Sequence, residues 1–330
     1  MSVRTDMGMN YQYQNKLIYF FAGSGHQDST QRKKDLQSSQ LLSQLNERKE
    51  AMEWVEFLRK NPDYKGKLFI DSGAYSAYTK GKEVDVDDYI KFINETGDVV
   101  FVFAQVDKIP QVIGREPTAE ELADAPRQSW ENYLYMVKRI KPEYRDKLIP
   151  VFHYEEDEKW LKNMLEYTHE DGSHIPYIGL AASTVGSAKD RIQWLTMCFS
   201  IIKQSSNPNV MTHGFGTTSL AVIKKFPLTS VDSTTWVQTA VHGQICCNET
   251  QYVLSDRRLK EGKNVLFMNK HLYDELEKKV ESYNCFGDEF TLEILASDAY
   301  MRQRFNLCYL QDWANRYEYH PLEAIKTELW

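Results

Sequence analysis

Short apolar runs alternate with segments of helical period along most of the chain, and this alternation restricts the fold more than any other feature. The runs predicted as strands are 16–22, 67–70, 99–104, 148–152, 177–181, 210–212, 230–232 and 264–267. Between them, apolar residues recur at spacings of three and four, as in Trp130, Tyr133, Leu134 and Val137, which is the period of one helix face. A strand followed by a helix, repeated in this way, predicts a parallel sheet.

Eight such units favour closure into a (β/α)8 TIM-type barrel of the α/β class, and an open doubly wound sheet is the alternative. One barrel typically uses about 250 residues, so the 330 residues of the chain accommodate a barrel with additions. We predict a single catalytic barrel domain over residues 1–330, with its core at about 15–270 and a C-terminal helical extension at 271–330. No G-x-G-x-x-G opens the first unit, which disfavours a dinucleotide-binding sheet.

Composition and charge exclude several classes of protein. The 40 Lys and Arg against 47 Asp and Glu give a net charge of −7, which argues against a protein that coats nucleic acid by charge alone. No apolar stretch approaches the ~18 residues of a membrane helix, so no membrane partner is expected. The first residues lack the apolar segment of a secretory signal, and five cysteines do not make a disulfide framework in so long a chain. We therefore expect a cytoplasmic protein.

In a barrel, functional side chains lie just after the strands, at the carboxyl-terminal rim. The predicted strands place Asp71, Ser72 and Gly73 after the second strand, Asp107 after the third, His153 after the fourth, Gly179 and Leu180 in the fifth, His213 and Gly216 after the sixth, and Asp232 at the end of the seventh. Asp and Ser after a strand also serve as caps of the following helix. Capping alone is a poor explanation for Asp71, Asp107 and Asp232 together at one rim.

Several of these segments resemble the motifs of the tRNA-guanine transglycosylases. Residues 71–75 (DSGAY) resemble the D-S-G-G-[FY] motif, and residues 179–181 (GLA) resemble the G-G-L-A base-binding strand. Residues 213–216 (HGFG) lie where the family has a glycine-rich turn, and residues 230–233 (SVDS) lie where it carries its nucleophilic aspartate. The segments follow the family's order from about residue 67 to 240.

The chain also departs from the tRNA enzymes. Their C-x-C-x-x-C zinc cluster has no counterpart, because the late cysteines are Cys246, Cys247, Cys285 and Cys308. Their arginine-bearing, tRNA-reading segment is replaced by residues 234–247 (TTWVQTAVHGQICC). These changes resemble the phage-type branch of the superfamily, which exchanges guanine in DNA for a 7-deazaguanine. If the chain is viral, the compartment becomes the host cytoplasm.

The resemblance implies a role for each aspartate of the rim. Asp232 is the expected nucleophile, Asp71 the expected acid and base, and Asp107 the expected acceptor of hydrogen bonds from a guanine-like ring, whose edge presents donors. The resemblance also implies base-binding roles for Ser72, Gly73, His153, Gly179, Leu180, His213 and Gly216. Tyr75, Phe152 and Phe215 are candidate walls for a base turned out of its stack. The implied partners are guanine-containing DNA and the free 7-deazaguanine base.

Two expectations concern charged and metal partners. The basic run Arg32, Lys33 and Lys34 follows the first predicted strand near the rim, so it is the better candidate for phosphate contacts than the run near Arg257. A solvated face is the alternative. Because the late cysteines lack the spacing of a structural zinc site, we predict that no cofactor is required, and structural zinc is the alternative that the spacing disfavours.

Three other functions remain open at the level of sequence. A tRNA-guanine transglycosylase would keep the chemistry and change the polymer. A metal-dependent barrel hydrolase is suggested by His153, His213 and Asp232 at strand ends, although no H-x-H follows the first strand. A catalytically silent nucleic-acid-binding protein is the third alternative, and the presence of both Asp71 and Asp232 argues against it.

Overall fold

The computed structural model describes residues 17–79, 83–109, 115, 117–154, 156–182, 187–217, 219–254, 263–283 and 285–318. The strands of the main sheet in this part of the chain are β1 (Ile18–Phe21), β2 (Ser39–Ser43), β3 (Leu68–Asp71), β4 (Val102–Ala104), β5 (Leu148–Ile149), β6 (Val151–His153), β7 (Tyr177–Ala181), β8 (Met211–Phe215) and β9 (Ser230–Ser233). Their order is β5-β4-β3-β2-β1-β9-β8-β7-β6. Every neighbouring pair is parallel.

The two edge strands of this sheet, β5 and β6, are consecutive in the chain and are separated only by Pro150. On one side, the amide of Gln105 donates to the carbonyl of Ile149 at 3.0 Å. On the other side, the amide of Gly179 donates to the carbonyl of Pro150 at 2.8 Å. One segment thus joins both edges, and the sheet forms the predicted (β/α)8 TIM-type barrel with eight strand positions.

Helices follow the strands around the barrel. Their bounds are α1 (Ser29–Asp35), α2 (Arg48–Lys60), α3 (Ala74–Thr79), α4 (Val86–Thr96), α5 (Ala119–Val137), α6 (Glu158–Glu166), α7 (Ala188–Gln204), α8 (Leu220–Ile223), α9 (Thr235–Val241), α10 (Lys270–Glu281), α11 (Leu292–Ser297) and α12 (Ala299–Arg316). Short 3-10 helices cover Pro142–Lys147 and Val265–Phe267, and β10 (Gln244–Cys247) pairs with β11 (Thr250–Val253) in a separate antiparallel hairpin. The capping box that the sequence predicts at Thr118 and Glu121 is present at the start of α5.

The predicted strand at 264–267 is wrong, and the structure has a strand at β2 that the sequence analysis did not find. Asn264 accepts a hydrogen bond from the amide of Leu266 and starts a 3-10 turn in which Leu266 and Phe267 are 57% and 69% exposed. In β2, the polar residues Ser39 and Gln40 are buried, and both have partners: the Gln40 amide donates to the carbonyls of Phe21 and Leu41, and Oγ of Ser39 accepts from the amide of Lys67 at 2.9 Å. The rim residues after residue 39 therefore lie one strand later than predicted.

Two apolar layers surround the strands. The barrel interior contains a cluster formed by Ile18, Phe20, Phe69, Phe101, Val102, Ala104, Ile149, Val151, Tyr177 and Met211. Residues that alternate with these along the strands, such as Ile70, Phe152 and Leu180, belong to the larger cluster between strands and helices. This alternation determines which rim side chains face the barrel mouth, because successive residues of a strand point to opposite faces.

The predicted C-terminal helical region is present as α10–α12, and α12 packs on α9 and β10. The Asn306 side chain in α12 accepts from the amide of Cys246 at 2.8 Å and donates to Thr239 at 3.0 Å. Arg302 is buried and donates to the carbonyl of Ala240 at 2.8 Å. In the part of the chain that the structure describes, no helix is long and apolar enough to cross a membrane.

Candidate active site

The polar side chains predicted for the rim lie at the carboxyl ends of four barrel strands. Asp71 is the last residue of β3, His153 is the last residue of β6, and Asp232 lies near the end of β9. Asp107 follows β4 and forms an ion pair of 3.3 Å with His153 at the end of the neighbouring β5–β6 segment. The structure therefore brings together the three aspartates that the sequence analysis selected.

The surroundings of the Asp71 carboxyl group shift its pKa. Burial and the neighbouring negative charges of Asp107 and Asp232 raise the pKa of Asp71 to about 7, although a hydrogen bond from the Gly73 amide, 2.9 Å from Oδ2, opposes the shift. The neutral and the ionised form of this group are therefore both populated near neutral pH. Such a carboxyl can both donate and accept a proton.

The turn after Asp71 requires glycine at position 73. Gly73 has φ +83°, and a Cβ atom there would lie 2.7 Å from both Leu45 Cβ and Ser43 Oγ. The following helix, α3, begins at Ala74, and the buried hydroxyl of Ser72 accepts a hydrogen bond from the Ala74 amide at 3.4 Å. A base-binding role of Ser72 stays a prediction, as does that of Gly73.

Asp232 is held by two donors on the same oxygen. The amide of Gly216, a residue with φ +57°, donates to Oδ1 at 2.9 Å, and Nε2 of His213 is 3.2 Å from the same atom. His213 is fully buried, and burial lowers its pKa, so the ring is neutral. Its other nitrogen, Nδ1, bonds the hydroxyl of Ser230, which in turn bonds the hydroxyl of Tyr177.

Asp107 belongs to a second charged group at the mouth. Gln105 donates to its Oδ1 at 2.6 Å, and His153 lies between Asp107 and Glu156, whose Oε1 is 3.0 Å from Nδ1. Burial opposes protonation of His153, but the two carboxylates outweigh it and raise the pKa of His153 to about 10. Both ring nitrogens of the imidazolium therefore donate to carboxylates. The ring orients Asp107, and a direct bond from His153 to a base stays a prediction.

The candidate walls of the mouth fall into two sets. Phe215 faces the interior, where its ring packs on His213 with a centroid distance of 4.4 Å. Phe152 instead stacks on Trp194 at 5.8 Å in the outer layer, so it does not line the mouth. Leu180 also belongs to the outer layer, which leaves only its backbone to meet a ligand. The Tyr75 side chain lies outside the described part of the structure.

Gly179 lies in the interior and leaves space for an aromatic ring. A Cβ atom at this position would lie 2.5 Å from Cε2 of Phe215 and 3.1 Å from Cγ2 of Val151. Glycine at 179 is thus required by the close approach of the Phe215 ring.

Each residue of the basic run Arg32–Lys34 already has a partner within the protein. Arg32 donates to Asp28 at 3.0 Å, and Lys34 lies 4.4 Å from the ring centroid of Phe57. Lys33 is 1% exposed, donates to the carbonyl of Gly23 at 3.2 Å and lies over Trp236. Burial lowers the pKa of Lys33 to about 8. Contact of these residues with phosphate stays a prediction, and the later run near Arg257 lies outside the described residues.

Four residues of the site were missed by the sequence analysis: Gln105, Glu156, Tyr177 and Ser230. Strand alternation could have predicted Ser230 as a site residue, because a residue two positions before Asp232 lies on the same face of the strand. Glu156 follows His153 at the third position of a loop, a spacing without a general signature. Gln105 contacts Asp107 only two residues away, whereas Tyr177 contacts Ser230 on a strand that is distant in sequence.

No known family model matches the chain, and no curated protein matches it. The similarity to tRNA-guanine transglycosylases therefore rests on the motifs and their positions. Among the described residues, no group of three or more His, Cys, Asp or Glu is placed to hold a metal ion. All five cysteines are free thiols, and independence from zinc stays a prediction.

The raised pKa of Asp71 predicts a pH-dependent effect on stability. The folded protein binds this proton more tightly than the unfolded chain, in which an aspartate has a pKa near 4. The stability that Asp71 contributes is therefore present below about pH 4 and is lost as the pH rises through about 7. We expect Asp71→Asn to raise the melting temperature by a few degrees at pH 8 and by less at pH 5. The control is Asp63→Asn on the surface, and an Asp71→Asn difference that does not change with pH would refute the assignment.

The contact between Gly179 and Phe215 predicts coupling between two substitutions. Gly179→Ala should lower stability by about 1–3 kcal/mol, because the added methyl group displaces the Phe215 ring. Phe215→Leu should remove part of that clash, so the double variant should be more stable than the sum of the single effects predicts. Chemical denaturation of the four proteins measures the coupling free energy, and additive effects would show that the ring does not meet residue 179.

Proposed function

We propose that this protein is a pentosyltransferase of the tRNA-guanine transglycosylase superfamily that replaces guanine in DNA with a 7-deazaguanine. The observation that carries the proposal is the pair of carboxyl groups, Asp71 and Asp232, in different environments at one barrel mouth. Burial and negative neighbours favour the neutral form of Asp71, whereas two donors hold one oxygen of Asp232. Base exchange on a sugar needs both an acid–base group and a carboxylate nucleophile.

In the first half of the reaction, Oδ2 of Asp232 attacks C1′ of the nucleotide while the C1′–N9 bond to guanine breaks. The departing guanine takes the electron pair of that bond and receives the proton of neutral Asp71 on a ring nitrogen. The products are free guanine, an ionised Asp71 and a covalent ester between Asp232 and the sugar. A carboxylate is an established nucleophile for such a displacement at an anomeric carbon.

In the second half, N9 of the incoming 7-deazaguanine attacks C1′ and the bond from C1′ to Oδ2 of Asp232 breaks. The N9 proton passes to ionised Asp71, and Asp232 leaves as a carboxylate. Both groups thus return to their starting states. A pKa of about 7 for Asp71 suits both halves, because a general acid that later acts as a base works best when its pKa is near the working pH.

Asp107 is the proposed receptor for the base. Gln105 and His153 hold its carboxylate in one orientation, and a carboxylate offers only acceptors. Guanine and 7-deazaguanine both present N–H donors at N1 and at the exocyclic amine, so one acceptor serves the leaving and the incoming base. Adenine, which has an acceptor at N1, would leave the charge without a partner.

DNA is favoured over tRNA by the segment that follows the nucleophile. In place of a basic tRNA-reading segment, residues 235–241 form α9. Its Trp236 is 1% exposed and packs against Lys33 within the protein. The carbonyl of Trp236 accepts from Asn306 of α12 at 3.3 Å, so this segment contributes to the junction with the C-terminal helices.

The deciding experiment incubates the protein with a free 7-deazaguanine base and, in separate reactions, with duplex DNA, single-stranded DNA and tRNA. Mass spectrometry of the digested nucleosides then identifies the polymer that has gained the base. We expect a modified deoxynucleoside from DNA and none from tRNA. A modified ribonucleoside from tRNA alone would establish the tRNA enzyme instead, and unmodified nucleosides in all reactions would refute base exchange.

The role of Asp232 as nucleophile predicts the effect of a nearly isosteric change. Asp232→Asn should reduce exchange by at least about a thousandfold, because an amide cannot form the ester with the sugar. Circular dichroism should show an intact fold. Exchange by this variant at the wild-type rate would contradict the assignment.

The role of Asp107 predicts a loss of affinity for the base. Asp107→Asn places an amide donor against the donors of the base, and we expect the dissociation constant of the free 7-deazaguanine to rise about 10-fold to 100-fold. Glu156→Gln is the matched control, since it removes the other carboxylate partner of His153. Equal losses of affinity in the two variants would show that Asp107 acts only through His153.

A further inference from the structure

A chain of four polar side chains crosses the apolar interior beneath the proposed nucleophile. It comprises Tyr177 on β7, His213 on β8, and Ser230 and Asp232 on β9. His213 lies opposite Ser230 in the pairing of β8 with β9, so the sheet register itself brings the first contact together. His213 and Ser230 are 0% exposed, and polar groups buried to this degree are costly unless they are hydrogen-bonded.

The chemistry of the four groups fixes the direction of every hydrogen bond. The Asp232 carboxylate can only accept, so Nε2 of His213 carries the hydrogen. The ring is neutral, so Nδ1 must accept, and the Ser230 hydroxyl is its donor. The single hydrogen of Ser230 is then used, and the serine oxygen accepts from the hydroxyl of Tyr177. Ser230 and Tyr177 thus determine the tautomer of His213 that faces the nucleophile.

This series of hydrogen bonds ends on one oxygen of the Asp232 carboxylate. Both hydrogen bonds described for Asp232 reach Oδ1, from His213 at 3.2 Å and from Gly216 at 2.9 Å, which makes Oδ2 the attacking oxygen. In the ester, the carboxyl group is uncharged and Oδ1 is a carbonyl oxygen. When the ester breaks, negative charge returns to the carboxyl group. Hydrogen bonds to an ionised acceptor are roughly twice as strong as those to a neutral one.

We infer that Tyr177, Ser230 and His213 form a positioning chain that accelerates the second half-reaction, in which Asp232 leaves the sugar. This inference rests on the proposed function. The electron pair of the C1′–Oδ2 bond returns to Asp232 while N9 of the incoming base bonds C1′, and the donors on Oδ1 stabilise the carboxylate that forms. The same donors stabilise the carboxylate before attack, so they do not accelerate the first half-reaction.

The kinetic signature is accumulation of the covalent intermediate. In Ser230→Ala, Nδ1 of His213 loses its donor, the other tautomer becomes available, and the ring no longer holds a hydrogen toward Oδ1. We expect turnover to fall about tenfold, with a severalfold larger steady-state fraction of covalent protein–DNA adduct. Tyr177→Phe should give the same pattern with a smaller change. Ser230→Thr, which keeps the hydroxyl, should restore a low adduct fraction.

Rapid acid quenching during exchange, followed by denaturing electrophoresis, measures the adduct fraction, and thermal denaturation is measured on the same proteins. Ser233→Ala is the matched control, because Ser233 is buried on the same strand and its hydroxyl bonds Thr235 at 2.7 Å. Tyr177→Phe retains the ring and tests the chain even if Ser230→Ala does not fold.

Two outcomes separate failure of this inference from failure of the proposed function. If wild type forms adduct and exchanges bases, while Ser230→Ala and Tyr177→Phe lower only the melting temperature with an unchanged adduct fraction, the chain is structural and the inference is overturned. If wild type forms neither adduct nor exchanged nucleoside, the proposed function fails, and the inference fails with it.

Discussion

The fold of the site depends on one segment, Leu148 to His153, whose backbone bonds both edges of the parallel sheet. The amides of Gln105 and Gly179 bond consecutive carbonyls on either side of it. This closure bends the strands around a common axis and brings their carboxyl ends to one mouth. On an open sheet, Asp71 on β3 and Asp232 on β9 would be separated by the width of the intervening strands. In the barrel, each lies close enough for the charge of Asp232 to raise the pKa of Asp71.

The apolar interior controls the behaviour of the charged groups at that mouth. Phe20, Phe69 and Phe215 surround His213 and exclude water, so every polar atom there depends on a protein partner. The same low polarity separates the roles of the carboxyl groups. Burial favours the neutral form of Asp71, while hydrogen-bond donors hold Asp232 and Asp107 in fixed orientations. One environment thus gives the three carboxyl groups the different surroundings that the proposed acid, nucleophile and base receptor require.

The sequence predicts the barrel and its aspartates because both depend on local pattern. An Asp that follows an apolar strand can be recognised in the sequence. Because the carboxyl ends of the parallel strands of a barrel meet at one rim, such residues are predicted to lie together. The prediction failed where side-chain contacts reverse a local preference. The apolar run 264–267 forms a 3-10 turn because Asn264 caps it. Strand β2 contains Gln40, a polar residue whose burial is tolerated because its side chain is hydrogen-bonded to backbone carbonyls. Lys33 reads as part of a basic surface, but Trp236 covers it, a contact between residues distant in sequence.

The most direct test of the central claim is identification of the residue that bears the sugar. The protein is incubated with guanine-containing DNA without an incoming base and denatured in acid. The DNA is then trimmed by nucleases, and the peptides are sequenced by mass spectrometry. Transfer through Asp232 predicts a deoxyribose-phosphate adduct on the peptide that contains Asp232 and an unmodified peptide for Asp71. A sugar on Asp71, or a reaction that consumes guanine in DNA with no modified peptide, would contradict it.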